Sequence, residues 1–317
     1  MNIDIFNGDA DGICALHQLR LDEPLQSMLV TGVKRDIKLL KRVEVAEGDR
    51  LTVLDISLDK NRDTLISLLK VGSHVRYFDH HYAGDIPEYP NLDATIDTSP
   101  TTCTSLLVNG ALQGKHLPWA VTAAFGDNLY ESAEKAAVPL NLSKKKLEML
   151  KELGICINYN GYGASLDDLF YHPAELYEKI KPYSDPFDFI KTDDAFNVLS
   201  SGYAEDMSKA SAISPEFDEV SSSVYILPDE KWARRVSGVY SNDLAQNNPD
   251  KAHAILTHKG DKTYQASIRA PLKTKTGADT LCRQFETGGG RQAAAGINEL
   301  PVSELDTFIK VFHQHFS

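Results

Sequence analysis

The sequence predicts an α/β protein of two domains, and three observations lead to that reading. Short apolar strand patterns alternate with helical spacing through the first 130 or so residues. Acidic residues recur where those strands end, and a polar stretch with a proline, Ser214-Pro215 to Ser223, precedes a second and shorter α/β series. Alternating strands and helices favour a parallel sheet, whose ligands gather at the carboxyl ends of its strands. A chain of 317 residues accommodates two such units. The expected division is 1–195, a linker over 196–222, and 223–317.

Ile3-Asp4-Ile5-Phe6 is the first strand, followed by an acidic turn, Asn7-Gly8-Asp9-Ala10-Asp11-Gly12, and by helical spacing from Ile13 to Leu19. Leu51 to Ser57 is a second strand with Asp55 near its end, and a helix follows at about 60–70. Ser73 to Phe78, bounded by Gly72 and rich in β-branched and aromatic residues, is a third strand running into Asp79-His80-His81. Helices are expected over Thr101–Asn109 and Leu117–Leu129, the latter containing Phe125-Gly126-Asp127-Asn128. The chain then reads as mainly helical to about Ser214, with Ser143 as an N-cap and Gly154 as a helix stop. In the second series, Ser223–Leu227, Ala252–Thr257 and Thr263–Arg269 read as strands. Helices are expected at about 237–247, Asp279–Phe285 and Leu305–Phe316.

Composition excludes several classes. No apolar run approaches the roughly 20 residues that cross a bilayer. The N-terminus has no signal-peptide pattern, and the four cysteines form no Cys-x-x-Cys pair. A reduced cytoplasmic protein is expected. The net charge of −12 falls entirely on residues 1–217, with 21 Lys+Arg against 33 Asp+Glu. Residues 218–317 hold 12 of each. An acidic surface opposes long duplex DNA, while a small phosphorylated ligand held by local charges and metals stays open.

Asp9 and Asp11 lie two apart on a glycine-bounded turn, so both carboxylates can face one point. Unpaired carboxylates repel, and a shared cation removes the cost. Asp55, His80 and Asp127 would supply the remaining ligands. Oxygen ligands with one imidazole suit Mn²⁺ or Mg²⁺ better than zinc. The plain alternatives are an Asx turn capping the next helix for Asp9 and Asp11, an N-cap for Asp55, and an ordinary helical acid for Asp127.

In this order, Asn7-Gly8-Asp9-Ala10-Asp11-Gly12, Leu54-Asp55-Ile56-Ser57, Asp79-His80-His81 and Phe125-Gly126-Asp127-Asn128 resemble the four motifs of the DHH phosphoesterase superfamily. Gly288-Gly289-Gly290-Arg291-Gln292-Ala293-Ala294-Ala295-Gly296 resembles the glycine motif of the associated DHHA1 substrate domain. The resemblance spans nearly the whole chain. It implies an N-terminal parallel-sheet DHH domain, a smaller α/β DHHA1-like domain and an interdomain cleft. It also implies two manganese ions: Asp9 on the first, Asp11, His80 and Asp127 on the second, and Asp55 bridging them. His81 would lie beside the substrate phosphate and Asp79 would orient the histidines from behind. Asp55, His80 and His81 are thus the implied catalytic residues, and a metal-activated water is the implied nucleophile.

Two positions depart from the family pattern. Asn7 stands where the family usually offers the first metal a further His or Asp, and Arg291 follows the glycines where His is usual. Three glycines let backbone N–H groups approach an anion, and Arg291 adds a charged fork. Arg269, on a strand resembling one of DHHA1, is the further candidate for substrate contact. The expected activity is manganese-dependent hydrolysis of short oligonucleotides or small nucleotides, as by a nano-RNase or RecJ-like exonuclease. A pAp or cyclic-dinucleotide phosphatase is an alternative within the family. A metal-binding nucleotide sensor that has lost turnover is an alternative outside enzymology. A homodimer is compatible with all of these.

Overall fold

The first strand is β1 (Asn2–Phe6), followed by α1 (Ala10–Asp22) and a short β2 (Met28–Val30). Next come β3 (Arg50–Leu54), α2 (Leu58–Val71), β4 (His74–Asp79) and β5 (Leu92–Ile96). The remaining helices of the first part are α3 (Thr104–Ala111), α4 (Leu117–Gly126), α5 (Tyr130–Ala137), α6 (Lys144–Asn160), α7 (Pro173–Ile180), α8 (Pro186–Thr192) and α9 (Asp194–Ser211). This computed structural model describes residues 1–260 and 262–317. It divides into two compact units, Met1–Gly202 and Tyr203–Ser317.

The first unit holds a five-stranded sheet in the order β2-β1-β3-β4-β5, parallel throughout. Period-two alternation sorts its side chains. Ile3, Ile5, Val53, Val75 and Tyr77 pack with α2 residues Leu65, Leu68 and Leu69, while Phe6, Leu54 and Phe78 pack on the opposite side with α1, α3, α4 and α6. The chain leaves β1 through α1 to β2 on one side and returns through β3 on the other. The crevice at the carboxyl ends of β1 and β3 is therefore a topological switch point, the place where open α/β sheets bind ligands. Buried Asp4, on β1, accepts from Arg20 Nη2 at 2.5 Å and Nε at 2.8 Å, with Ser27 Oγ donating at 2.6 Å.

The second unit contains β6 (Phe217–Asp218), β7 (Ser222–Leu227), α10 (Lys231–Asn247), β8 (Ala252–Lys259), β9 (Thr263–Arg269), α11 (Ala278–Cys282), β10 (Gly288–Gly290), β11 (Ala294–Pro301) and α12 (Leu305–Phe316). Its mixed sheet runs β10-β11-β9-β8-β7-β6, parallel only at β7–β8. Val236, Tyr240 and Leu244 of α10 pack with Leu227 and Ile255 in one cluster, and Leu281, Phe308 and Phe312 of α11 and α12 pack with Ile268 and Ile297 in another.

Several elements differ from expectation. The stretch 196–222, expected as a linker, contains most of α9, all of β6 and the first residue of β7. Gly154 does not stop α6, which continues to Asn160; it is glycine at a helix contact, where a Cβ would run into the Thr122 carbonyl of α4. The glycine permits a close helix crossing. The Gly288–Gly290 run is an edge strand in a hairpin with β11, closed by paired bonds between Arg291 and Ala294. Gly290 has φ of 144° and its absent Cβ would sit 2.5 Å from Ala295 Cα, so only glycine fits. Among the described residues no helix is long and apolar enough to cross a membrane, and all four cysteines are free and buried.

Candidate metal centre

Three adjacent parallel strands end together and bring their acids to one place. Asp9 follows β1, Asp55 follows β3, and Asp79, His80 and His81 close β4. Asp127 arrives from the end of α4, where Gly126 lets that helix approach α1 and α6: a Cβ at Gly126 would lie 2.5 Å from Ala10 Cβ and 2.6 Å from Gly154 O. Asp55 has φ of 58°, the left-handed region that a non-glycine residue enters at a cost. Its N–H still donates to Phe78 O at 3.0 Å, which pins the turn to β4.

His80 is the centre of the group. Its Nε2 lies 3.4 Å from Asp55 Oδ1, 3.8 Å from Asp127 Oδ2 and 3.9 Å from Asp11 Oδ2. Ligands about 2.1 Å from one octahedral ion are separated by about 3 Å when adjacent and about 4.2 Å when opposite. The observed spacings fall in that interval. Two sets of ligand atoms lie close enough to share an ion, Asp11–His80–Asp127 and Asp55–His80–His81, and they meet at His80. The sequence-predicted ligands Asp11, Asp55, His80 and Asp127 are thus together, and Asp9 belongs to neither set.

Asp9 has other partners. Its Oδ1 accepts from the N–H groups of Asp11 (3.0 Å) and Gly12 (3.1 Å) as the N-cap of α1, and its Oδ2 accepts from Lys34 Nζ at 2.5 Å. Both its plain reading as a cap and its place beside the cluster are therefore real. Asp11 accepts from the N–H groups of Thr104 and Ser105, each at 2.7 Å, at the start of α3. The Thr104 hydroxyl donates to Asp55 Oδ1 at 3.3 Å. Asp79 Oδ1 accepts from His80 N–H at 2.9 Å and from His81 Nδ1 at 2.7 Å. That bond assigns the proton to Nδ1 of His81 and leaves its Nε2 available, on a side chain 44% exposed.

The electrostatics follow from crowding. Burial, then the charges of Asp9, Asp11, Asp127 and Asp79, push the Asp55 carboxyl well above the usual range, and it shares a hydrogen bond with Asp9. Burial and Asp11 raise Asp127 to about 6, against the pull of Lys34 and His80. Burial would raise Asp9 as well, but the Lys34 charge and the bonds from Lys34 and Gly12 hold it low. Burial works to lower His81, yet its bond to Asp79 and the surrounding carboxylates leave it raised. Such a cluster cannot be fully ionised without added positive charge. Asn7 Oδ1 and Asp79 Oδ2 are buried and accept no hydrogen bond among the described residues. The two candidate sets share His80, and each offers carboxylate oxygen and imidazole donors that fit a divalent cation.

Of the other predicted residues, Asn7 is buried and its Nδ2 donates to Lys34 O at 3.1 Å. In the second unit, Arg269 donates to Asn242 Oδ1 (2.7 Å), Ser267 Oγ (3.2 Å) and the carbonyls of Ile268 and Gly238, so its guanidinium lies along α10. Arg291 is exposed at the tip of the β10–β11 hairpin. Sequence reasoning missed Lys34, Thr104 and Ser105. Lys34 follows β2, a strand of three residues with little pattern of its own.

No protein-family model and no curated protein matches the chain. Solved structures do. Exonuclease RecJ bound to manganese matches with a TM-score of 0.56 at 14% identity, over 99% of this chain and 90% of its own. The two-domain RecJ-like fold is the fold of this chain. The pGpG-specific phosphodiesterase PggH from Vibrio cholerae matches with a TM-score of 0.58 at 13% identity, covering 99% of this chain and 98% of that one. An exopolyphosphatase-related protein from Bacteroides fragilis matches at 0.53 and 15% identity, over 99% and 91%. The fold these proteins share with the chain agrees with the DHH resemblance drawn from the motifs.

Proposed function

We propose that the chain is a metal-dependent phosphoesterase of the DHH superfamily that hydrolyses short oligonucleotides or small nucleotides, with manganese as its ion. The observation that carries this is His80 Nε2, with carboxylate oxygens of Asp11, Asp55 and Asp127 3.4–3.9 Å away at a topological switch point. A bound divalent ion there would polarise a phosphoryl oxygen and acidify a water. The chain's own residues do the rest. Asp55 and Asp11 are held by α3 and hold their oxygens in place before any ion arrives. Asp79 fixes the His81 ring, so that in its protonated form the exposed Nε2–H can donate to a phosphate oxygen. Arg291 and the backbone of Gly288–Gly290 are the proposed ligand contacts of the second unit, with Arg269 bracing β9 against α10. RecJ and PggH, whose names denote an exonuclease and a phosphodiesterase, support the substrate class.

Two observations favour the second reading, a nucleotide-binding protein with no turnover: Lys34 already neutralises part of the cluster, and Asn7 is uncharged. The two separate in one experiment. Short RNA and DNA oligomers, pAp, cyclic dinucleotides and pyrophosphate are offered with and without Mn²⁺, with Asp55→Ala as control. Turnover that requires both Mn²⁺ and Asp55 is expected and names the substrate. No turnover on any member, with metal shown to be bound, overturns the enzyme in favour of the sensor.

A further inference from the structure

Lys34 enters the acidic cluster from the turn after β2, and its position is built from several directions. Its N–H donates to Gly161 O at 2.8 Å and its carbonyl accepts from Asn7 at 3.1 Å. Its ammonium lies 2.5 Å from Asp9 Oδ2, 3.0 Å from Asn158 Oδ1 and 3.5 Å from Asp127 Oδ1, with the Tyr162 ring centroid at 5.8 Å. Asn158 is itself buried near the end of α6 and its amide donates to the Tyr162 hydroxyl at 3.3 Å. The lysine therefore bridges the first and last acids of the cluster from a fixed backbone.

The family pattern places Asp9 on a first metal, next to a further acidic or imidazole ligand. This chain does not fit that arrangement. Both oxygens of Asp9 are occupied, one by two backbone N–H groups and one by the ammonium. Asp9 is absent from both sets of atoms that could share an ion. The neighbouring ligand position is Asn7, whose Nδ2 donates to the Lys34 carbonyl and whose only free donor atom is the uncharged Oδ1. An ion on Asp9 Oδ2 would share its oxygen with a fixed ammonium, and two cations would compete for one charge.

We propose that the Lys34 ammonium takes the place of the first metal, so that the chain holds a single divalent ion, on His80 with Asp11 and Asp127. The inference rests on the metal centre proposed above but not on turnover. It has a chemical consequence. An ammonium carries one charge and three donors, and it can brace an anionic oxygen, but it cannot bind and acidify a water as a divalent ion does. It is also beyond the reach of a chelator.

The test counts ions. Full-length protein is stripped with chelator, dialysed to equilibrium against saturating Mn²⁺ and analysed for bound metal and for its Mn²⁺ spin spectrum. One ion per chain is expected, with an isolated-ion spectrum, and Lys34→Arg, which keeps the charge, should stay at one. The double variant Lys34→Ala, Asn7→Asp removes the resident cation and restores an acidic ligand, and should bind two, with a coupled-pair spectrum. Two ions on the unaltered chain, or none, overturn the proposal, and so does a folded double variant that still binds one. Should the double variant fail to fold, the count on the unaltered chain decides alone. One ion bound without hydrolysis sinks the enzyme and leaves this proposal standing; hydrolysis with two ions bound does the reverse.

Discussion

At the scale of single residues the candidate centre divides into groups that could hold an ion and groups that aim them. Asp79 is the clearest of the second kind. It is fully buried, with one oxygen spent on His80 N–H and His81 Nδ1. Removal of such an outer partner costs about 10–100-fold in activity or metal affinity. Asp79→Asn should therefore lower kcat in that range while the chain still folds and binds its ion; activity within twofold of the unaltered protein would remove Asp79 from the site. The five acids and two histidines could be singled out in the sequence because they gather at or just past the ends of β1, β3, β4 and α4, a local signal. Lys34, Thr104 and Ser105 were not legible, because they reach the cluster only by packing. Lys34 stands 25 residues from Asp9 in sequence, and Ser105 donates to Asp11 across 94.

Elements carry a second kind of information, most visible at glycines. In sequence Gly154 looks like the end of a helix, since glycine is a common C-cap. In the fold it lies mid-helix where α6 crosses α4, with Thr122 O and Gly126 N against its bare Cα. The sequence shows the glycine but not the partner helix, so the local rule wins on paper and the packing wins in the molecule. Gly154→Ala should destabilise the first unit by about 1–3 kcal/mol through overpacking, read as a lower urea midpoint. An unchanged midpoint would mean that α4 and α6 separate freely. The same logic explains the second unit. β1, β3, β4, β7, β8 and β9 were legible from apolar runs, while β10 is three glycines and β11 begins Ala294-Ala295-Gly296. Neither has strand propensity. Their pairing comes from the hairpin register, which joins Gly288 to Ile297 and Gly290 to Ala295.

At the scale of the whole molecule, the two units have separate cores and, by chance of composition, one tryptophan each: Trp119 in α4 and Trp232 in α10. Each unit also buries one neutral histidine. His17 packs edge-on to Trp119 with ring centroids 4.7 Å apart, its Nε2 2.8 Å from Tyr183 O, and burial lowers it to about 4. His253 Nδ1 lies 2.8 Å from Ser223 Oγ; burial, against a bond to the Asn248 backbone, lowers it to about 4 as well. Between about 4 and the ordinary value of about 6.5 the unfolded chain binds more protons than the folded one, so stability is full above 6.5 and is lost as pH falls. In the first unit a second effect opposes this. Asp127, raised to about 6, and Asp55 take up protons in the folded, metal-free state before they would when unfolded, so acid favours the fold there. The second unit contains neither group. Metal-free Trp119→Phe protein, reporting on the second unit through Trp232, should lose on the order of 1–2 kcal/mol between pH 7 and 5. Trp232→Phe protein, reporting on the first unit through Trp119, should show a shallower fall. Urea titrations followed by fluorescence measure both; a flat second unit would show that His253 is not held neutral, and an equally steep first unit would show that the acidic cluster takes up no protons there.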